Sequence, residues 1–210
     1  MRSDLSDGLQ RYMKPEQLAL LAEARVGVAG AGGLGSNVAQ HLVRSGLHRL
    51  VVADFDRVEA SNLNRQFYFP DQIGLPKVAA LAENLRRINP DLDLTPHQVR
   101  LTRTNLAEIF QGCTVVVEAF DDPAAKKMLL ETYLQTPTFV VSASGIGGWG
   151  NPEGIRVRRI RPRFLLVGDE TSASGEKFPP LSPRVGIAAA MQADLILEYL
   201  LGRHVEEPCR

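Results

Sequence analysis

The chain has 210 residues, 44% hydrophobic and 23% charged, enough for one well-buried globular domain with at most small additions. Lys plus Arg equals Asp plus Glu at 24 each, so no global field draws it to nucleic acid or to an anionic membrane, and any charge recognition must be local. No run of about 18 uncharged apolar residues occurs and "MRSDLSDGLQRYMKPEQ" has no signal-like apolar core, so a cytoplasmic protein with no membrane and no nucleic-acid partner is expected.

A helical segment is expected over 1–25, followed by a nucleotide-binding core over 26–145. "RVGVAG" reads as a strand buried on both faces, and "LGSNVAQHLVRSG" as a helix closed by Gly46. Between them Gly30, Gly32 and Gly35 fit GxGxxG, with Gly33 beside them. Such a turn lets a backbone approach phosphate at a helix N-terminus, where N–H groups and the dipole favour anions. The next strand, "RLVVADF", ends in Asp54 and Asp56, a little over 20 residues past the first glycine. Asp54 is the choice for a ribose hydroxyl, while either aspartate could instead cap the strand end or hold a turn. No GxxxxGK[ST] occurs, which argues against a P-loop NTPase.

The polar run "EASNLNRQF" then brings Asn62, Asn64, Arg65 and Gln66 together, with Lys77 close behind in "IGLPKVAAL". A nicotinamide cofactor would demand little of this, whereas phosphoryl chemistry calls for Arg and Lys on phosphate oxygens. Taken singly, Arg65 reads equally as a surface guanidinium, Lys77 as a first-turn helix residue, and the asparagines as turn formers or caps.

A helix from Pro76 stopped by Asn89 and Pro90, a strand at "LDLTP" that is likewise read as buried on both faces, and a helix at "RTNLAEIFQG" follow. "CTVVVEAF" leads to Asp121 and Asp122, and Cys113 at its start reads as a small buried thiol. "PAAKKMLLETYL" and "TFVVSAS" complete a βα alternation, which implies a doubly wound, mostly parallel sheet with helices on both faces. Residues 146–210 form a C-terminal extension: the glycine-rich "GIGGWGNPEG" with Trp149, an antiparallel hairpin in "IRVRRIRPRFLLVGD", and a mobile loop in "ETSASGEKFPPLSPR". The apolar helix 185–201 suits packing on the sheet or a dimer contact, and Cys209 sits in a polar tail.

"GAGGLGS", "DFDRVEASNLNRQF", "GLPKVAAL", "INP" and "VVVEAFDDPAAKKML" resemble the ThiF/HesA/MoeB adenylyltransferases, relatives of ubiquitin-activating enzymes. The likeness spans roughly residues 11 to 145, and SNLNRQ is its most specific element. The resemblance implies ATP-dependent adenylation of the C-terminal glycine carboxylate of a ubiquitin-fold sulfur-carrier protein ending in Gly-Gly, with release of pyrophosphate. It implies that Gly30, Gly32, Gly33 and Gly35 line the nucleotide, that Asp54 holds the ribose, and that Asn62, Arg65 and Lys77 bind phosphates. Asp121 would hold Mg2+, ahead of Asp122. A homodimer is implied too, with Arg11 or Lys14 as counterparts of a basic residue that reaches the partner subunit's site, although RYMKP replaces the usual RYxRQ.

Relatives commonly carry two CxxC pairs for zinc and a cysteine for sulfur chemistry. Cys113 and Cys209 form no such pair and the loop at 169–184 has no cysteine, so no structural zinc is expected and another protein would deliver sulfur. The compact length points to the thiamine-biosynthesis members. Alternatives are a molybdopterin-type carrier, a carboxylate on tRNA, a non-catalytic scaffold that docks a ubiquitin-fold protein, and least of all an NAD-dependent oxidoreductase.

Overall fold

The computed structural model describes residues 4–202. Two helices, α1 (Asp4–Leu9) and α2 (Pro15–Glu23), precede the alternating part. That part runs β1 (Arg25–Ala29), α3 (Gly33–Arg44), β2 (Arg49–Asp54), α4 (Lys77–Ile88), β3 (Asp93–Gln98), α5 (Leu106–Ile109), β4 (Val115–Glu118), α6 (Pro123–Tyr133) and β5 (Phe139–Ala143). β6 (Arg156–Arg161), β7 (Phe164–Gly168) and α7 (Ser182–Leu200) close the chain.

All seven strands join one sheet in the order β3-β2-β1-β4-β5-β7-β6, parallel except for β6, which pairs antiparallel with β7. The order reverses between β1 and β4, and in such sheets the crevice beyond the strand ends at that point receives the ligand. Successive side chains of a strand point to opposite faces. Val26 and Val28 of β1, Val115 and Val117 of β4, and Phe139 and Val141 of β5 therefore enter one core with α3, α4 and α7. Ala29, Val116 and Val140 enter the other core, against Leu106, Phe110, Leu129 and Tyr133.

Three expectations are revised. "LDLTP" is not buried on both faces: β3 is an edge strand with alternating exposure, a place where Pro96 costs no ladder hydrogen bond. "RTNLAEIFQG" yields only the single turn of α5. The terminal helix begins at Ser182, with Pro183 in its first turn, and packs on α3 and the sheet, where Tyr199 stacks on Phe139 at 4.1 Å. Cys209 lies outside the described residues.

Candidate functional site

Each glycine of the turn answers to a different constraint. Gly30 has φ +101°, and a Cβ there would lie 2.7 Å from the Ala119 carbonyl oxygen, so β4 can run close beside it. A Cβ on Gly35 would lie 1.8 Å from the Gly30 oxygen, which is how closely α3 packs on the turn. A Cβ on Gly32 would meet nothing, so that position opens onto the crevice. The tight turn and the helix packing are those that the spacing calls for. Gly33 lies beneath the stem of Arg65, whose Cγ would be 3.5 Å from an added Cβ.

Asp54, at the end of β2, spends both oxygens on the backbone: one accepts the Ala31 N–H at 2.6 Å and the other the Asp56 N–H at 2.7 Å. It braces the glycine turn, and each oxygen keeps a lone pair for a ribose hydroxyl. Tyr68 adds a second brace, its buried hydroxyl donating to the Ala31 carbonyl at 2.7 Å. Burial, and then the charges of Asp54 and Asp56, push that phenol well above its ordinary range, so it stays neutral.

The SNLNRQF segment lies against the first turns of α3. Asn37 donates to the carbonyls of Gly33 (2.6 Å) and Arg65 (2.8 Å), while the Ser36 hydroxyl accepts the Phe67 N–H at 3.0 Å. These contacts place Arg65 over the glycine turn, with its guanidinium donating to the Ser61 carbonyl (3.0 Å) and to Asn64 (2.7 Å). Partial burial lowers the Arg65 pKa and the charge of Asp121 opposes that shift. Asn62 is buried and first of all a cap: its side-chain oxygen accepts the Glu59 N–H at 3.1 Å, which leaves its amide NH2 with only a 3.4 Å contact to Ser61. Lys77 is not the exposed helix residue that its position allows. It is buried, with its ammonium paired to Asp56 at 2.9 Å.

Asp121 is exposed beyond β4, on the far side of the switch point from Asp54. Asp122 caps α6 by accepting the Ala125 N–H, which commits it to the helix. Among the described residues no group of three His, Cys, Asp or Glu side chains could hold a metal alone. A single carboxylate at this place suits Mg2+, which binds through one or two carboxylates together with substrate phosphates.

Sequence reasoning passed over the group that shapes this corner. Glu118 is fully buried at the end of β4 and is neutralised by Lys126 of α6, whose ammonium reaches both carboxylate oxygens and the Ala143 carbonyl at 3.0 Å. Ser142 also donates to it, as does the Phe120 N–H at 2.7 Å, so the loop carrying Asp121 is tied to β5 and α6. A lone acid inside "VVVEAF" was the available signal, because a buried carboxylate needs a cation.

The segment expected to be a mobile loop is stitched to its surroundings. Asp169 accepts from the Thr171 and Ser172 N–H groups and pairs at 2.7 Å with the buried Arg184, which also donates to the Gly150 carbonyl at 2.6 Å. Asn64 donates to the Pro180 carbonyl at 3.0 Å, joining this segment to the SNLNRQF run. Beneath it, at the ends of β5 and β7, lies a cavity of ≈ 600 Å³ lined by Trp149, Arg156, Arg158, Asp169, Phe178 and Arg184 among others. Trp149 is 71% exposed. Cys113 is buried, which raises its thiol to about 11, as an inert structural cysteine should be.

Comparison with known proteins accords with this geometry. The ThiF family profile matches residues 6–209. The "Adenylyltransferase and sulfurtransferase UBA4" of Yarrowia lipolytica is 36% identical over 186 residues, 84% of this chain and 46% of that protein. The "Ubiquitin-like modifier-activating enzyme 5" of Caenorhabditis briggsae is 38% identical over 104 residues, 50% of this chain and 24% of that protein. The chain thus spans about half or less of these curated relatives. Among solved structures, E. coli tRNA N6-threonylcarbamoyladenosine dehydratase, TcdA, in complex with ATP superposes with a TM-score of 0.81 at 25% identity, covering 97% of this chain and 96% of that one.

Proposed function

The chain belongs to the ThiF family, and from that premise we propose that it uses ATP to adenylate the C-terminal glycine carboxylate of a small ubiquitin-fold sulfur-carrier protein, releasing pyrophosphate. The observation that supports this reading is a glycine turn that is open at Gly32 and has the stem of Arg65 over Gly33, with the charge of Asp121 acting on that guanidinium and the buried Lys77 paired to Asp56. A carboxylate attacking the α-phosphate of ATP brings two anions together, so catalysis is chiefly positioning and neutralisation of charge. Gly32 and Gly33 would let the phosphates approach the N-terminus of α3, and Asp54 would accept from the ribose. Arg65, Lys77 and the amide NH2 of Asn62 would meet phosphate oxygens, with Lys77 exchanging Asp56 for phosphate. Mg2+ supplies charge neutralisation between phosphates when bound, and Asp121 would hold it. No nucleophile of the protein is needed, which suits the inert Cys113. The thiamine sulfur carrier is the preferred partner.

A second reading, activation of a carboxylate on tRNA, has one observation in its favour: the structural match to TcdA covers nearly the whole of both chains. The two readings share the adenylation step and differ in the acceptor. Incubation with ATP, Mg2+ and candidate carriers, followed by intact-mass measurement, should show the mass of AMP added to a carrier ending in Gly-Gly. Carrier-dependent ATP–pyrophosphate exchange should accompany it and should fall on the order of 100-fold or more in Arg65→Ala and Lys77→Ala. Exchange driven by tRNA and not by any carrier would favour the second reading, and no exchange with either would defeat both.

A further inference from the structure

Glu118 ends β4, a strand in which every residue is buried, and it is itself fully buried. A buried ion pair is a poor way to stabilise a core, since apolar side chains of similar volume commonly serve as well or better. The groups around this carboxylate bracket one short segment. Lys126 of α6 brings its ammonium to 3.0 Å from both carboxylate oxygens and from the Ala143 carbonyl at the end of β5. Ser142, buried in β5, donates to it as well. The remaining donor is the backbone N–H of Phe120 at 2.7 Å, and Phe120 is the residue before Asp121. On the other side of Asp121, the Asp122 carboxylate accepts the Ala125 N–H at 2.9 Å and so starts α6. The contacts thus close a ring through residues 118–126: Glu118 holds Phe120, Asp122 holds α6, and Lys126 returns α6 to Glu118. Ala119, inside the ring, donates its N–H to the Ala29 carbonyl of β1 at 3.0 Å. The exposed side chain of Asp121 takes no part in these contacts.

We propose that Glu118, Lys126 and Ser142 are positioning residues that aim the Asp121 carboxylate at the Mg2+ of a bound nucleotide. The inference rests on the adenylation reading's assignment of ATP and Mg2+ to the crevice, and it adds the residues that determine how firmly the metal is held there. Mg2+ demands near-octahedral geometry and parts reluctantly with its waters, so a single protein carboxylate is effective only when it stands in place beforehand. In an unbraced loop, Asp121 would have to be ordered at each binding event, and that lost entropy would weaken the hold on the metal. An ion pair that served only to tie α6 to the sheet would have no need of the backbone beside Asp121. Here the Phe120 N–H shares one carboxylate oxygen with Lys126, which couples the pair directly to the segment that carries the metal ligand.

The test needs no acceptor. Calorimetry of ATP binding to the full chain, once with Mg2+ and once with EDTA, gives the factor by which the metal strengthens binding. Glu118→Leu/Lys126→Met/Ser142→Ala replaces the network by apolar groups of similar volume. In it that factor should fall about tenfold or more, the usual effect of removing groups that orient a metal ligand. Its affinity in EDTA should stay within about twofold of the parent. Lys126→Arg, which keeps the ion pair, should retain the factor. Asp121→Ala should lose the factor by itself, and the three further substitutions should lower it no more, because they act through Asp121. A merely structural role would instead lower the melting temperature and the affinity in EDTA together, with or without Asp121. If the triple variant melts far below the parent, Glu118→Gln/Lys126→Met, which keeps the shape of the buried side chain, should show a smaller loss of the same kind. The proposal is overturned if Mg2+ strengthens ATP binding equally in the parent and the folded variants, if the substitutions lower the factor further without Asp121, or if Mg2+ has no effect on the parent. Failure of the adenylation reading is a different result: no ATP–pyrophosphate exchange with any acceptor, in a protein that still binds ATP more tightly with Mg2+ than without.

Discussion

Two glycines three residues apart separate folding from binding. Gly32 has φ −80° and open space where a Cβ would go, so Gly32→Ala should fold with an unchanged melting temperature. The added methyl would project into the crevice that phosphate is proposed to enter, so calorimetry should show weakened ATP binding. Gly35→Ala must drive a methyl into the Gly30 carbonyl at 1.8 Å, and it should cost at least about 2 kcal/mol, roughly 4–8 °C in melting temperature for a chain of this size. Equal effects of the two substitutions on stability would remove the argument for distinct roles. At this scale the sequence was legible where a residue type has few uses. A glycine spacing, an acid at a strand end and an Arg beside a Lys all narrow the choice. Ser36, Asn37 and Tyr68 were not legible, since polar residues in the first turns of a helix are ordinary and their partners Phe67, Arg65 and Ala31 become neighbours only through the fold.

Among elements, the segment between β7 and α7 shows how composition misleads. Its Ser, Gly and Pro content suggested mobility, yet Asp169 and Arg184 anchor its two ends and Asn64 pins Pro180. The pair could not be read in advance because fifteen residues separate an acid and a base that look like ordinary surface charges. Burial pulls the Asp169 pKa upward, but hydrogen bonds from Ser172 and Thr171 prevail and hold it at about 2. An aspartate free in the unfolded chain titrates near 3.9. A folded value below the unfolded one means stability that is fully present above about pH 4 and is lost as pH falls toward about 2. Melting temperatures across that interval should therefore drop in the parent and drop less in Asp169→Asn, which should already be less stable at neutral pH. Parallel curves for the two proteins would show that Asp169 does not anchor the segment. The βα alternation was easier to anticipate, because a strand buried on both faces must be apolar throughout. β3 departed from that rule because an edge strand needs only one apolar face.

The homodimer implied by the resemblance leads to a prediction about the whole molecule. Arg11 and Tyr12 lie between α1 and α2, both exposed and Tyr12 86% so, and among the described residues Arg11 has no ion pair. A residue of this kind can serve a site on another copy without disturbing its own fold. A twofold dimer contains two identical sites. If each takes Arg65 from one subunit and Arg11 from the other, Arg11→Ala and Arg65→Ala should each lack exchange activity alone. After subunit exchange at equal amounts, half the dimers are mixed and each mixed dimer has one site with both arginines, so about one quarter of parental activity should return. A single chain that holds its complete site would show no recovery, and sedimentation at the assay concentration would then report either a monomer or a dimer with independent sites. Recovery near one quarter would assign Arg11 to the partner's phosphates and would explain why an exposed arginine stands beside an exposed tyrosine at the start of the chain.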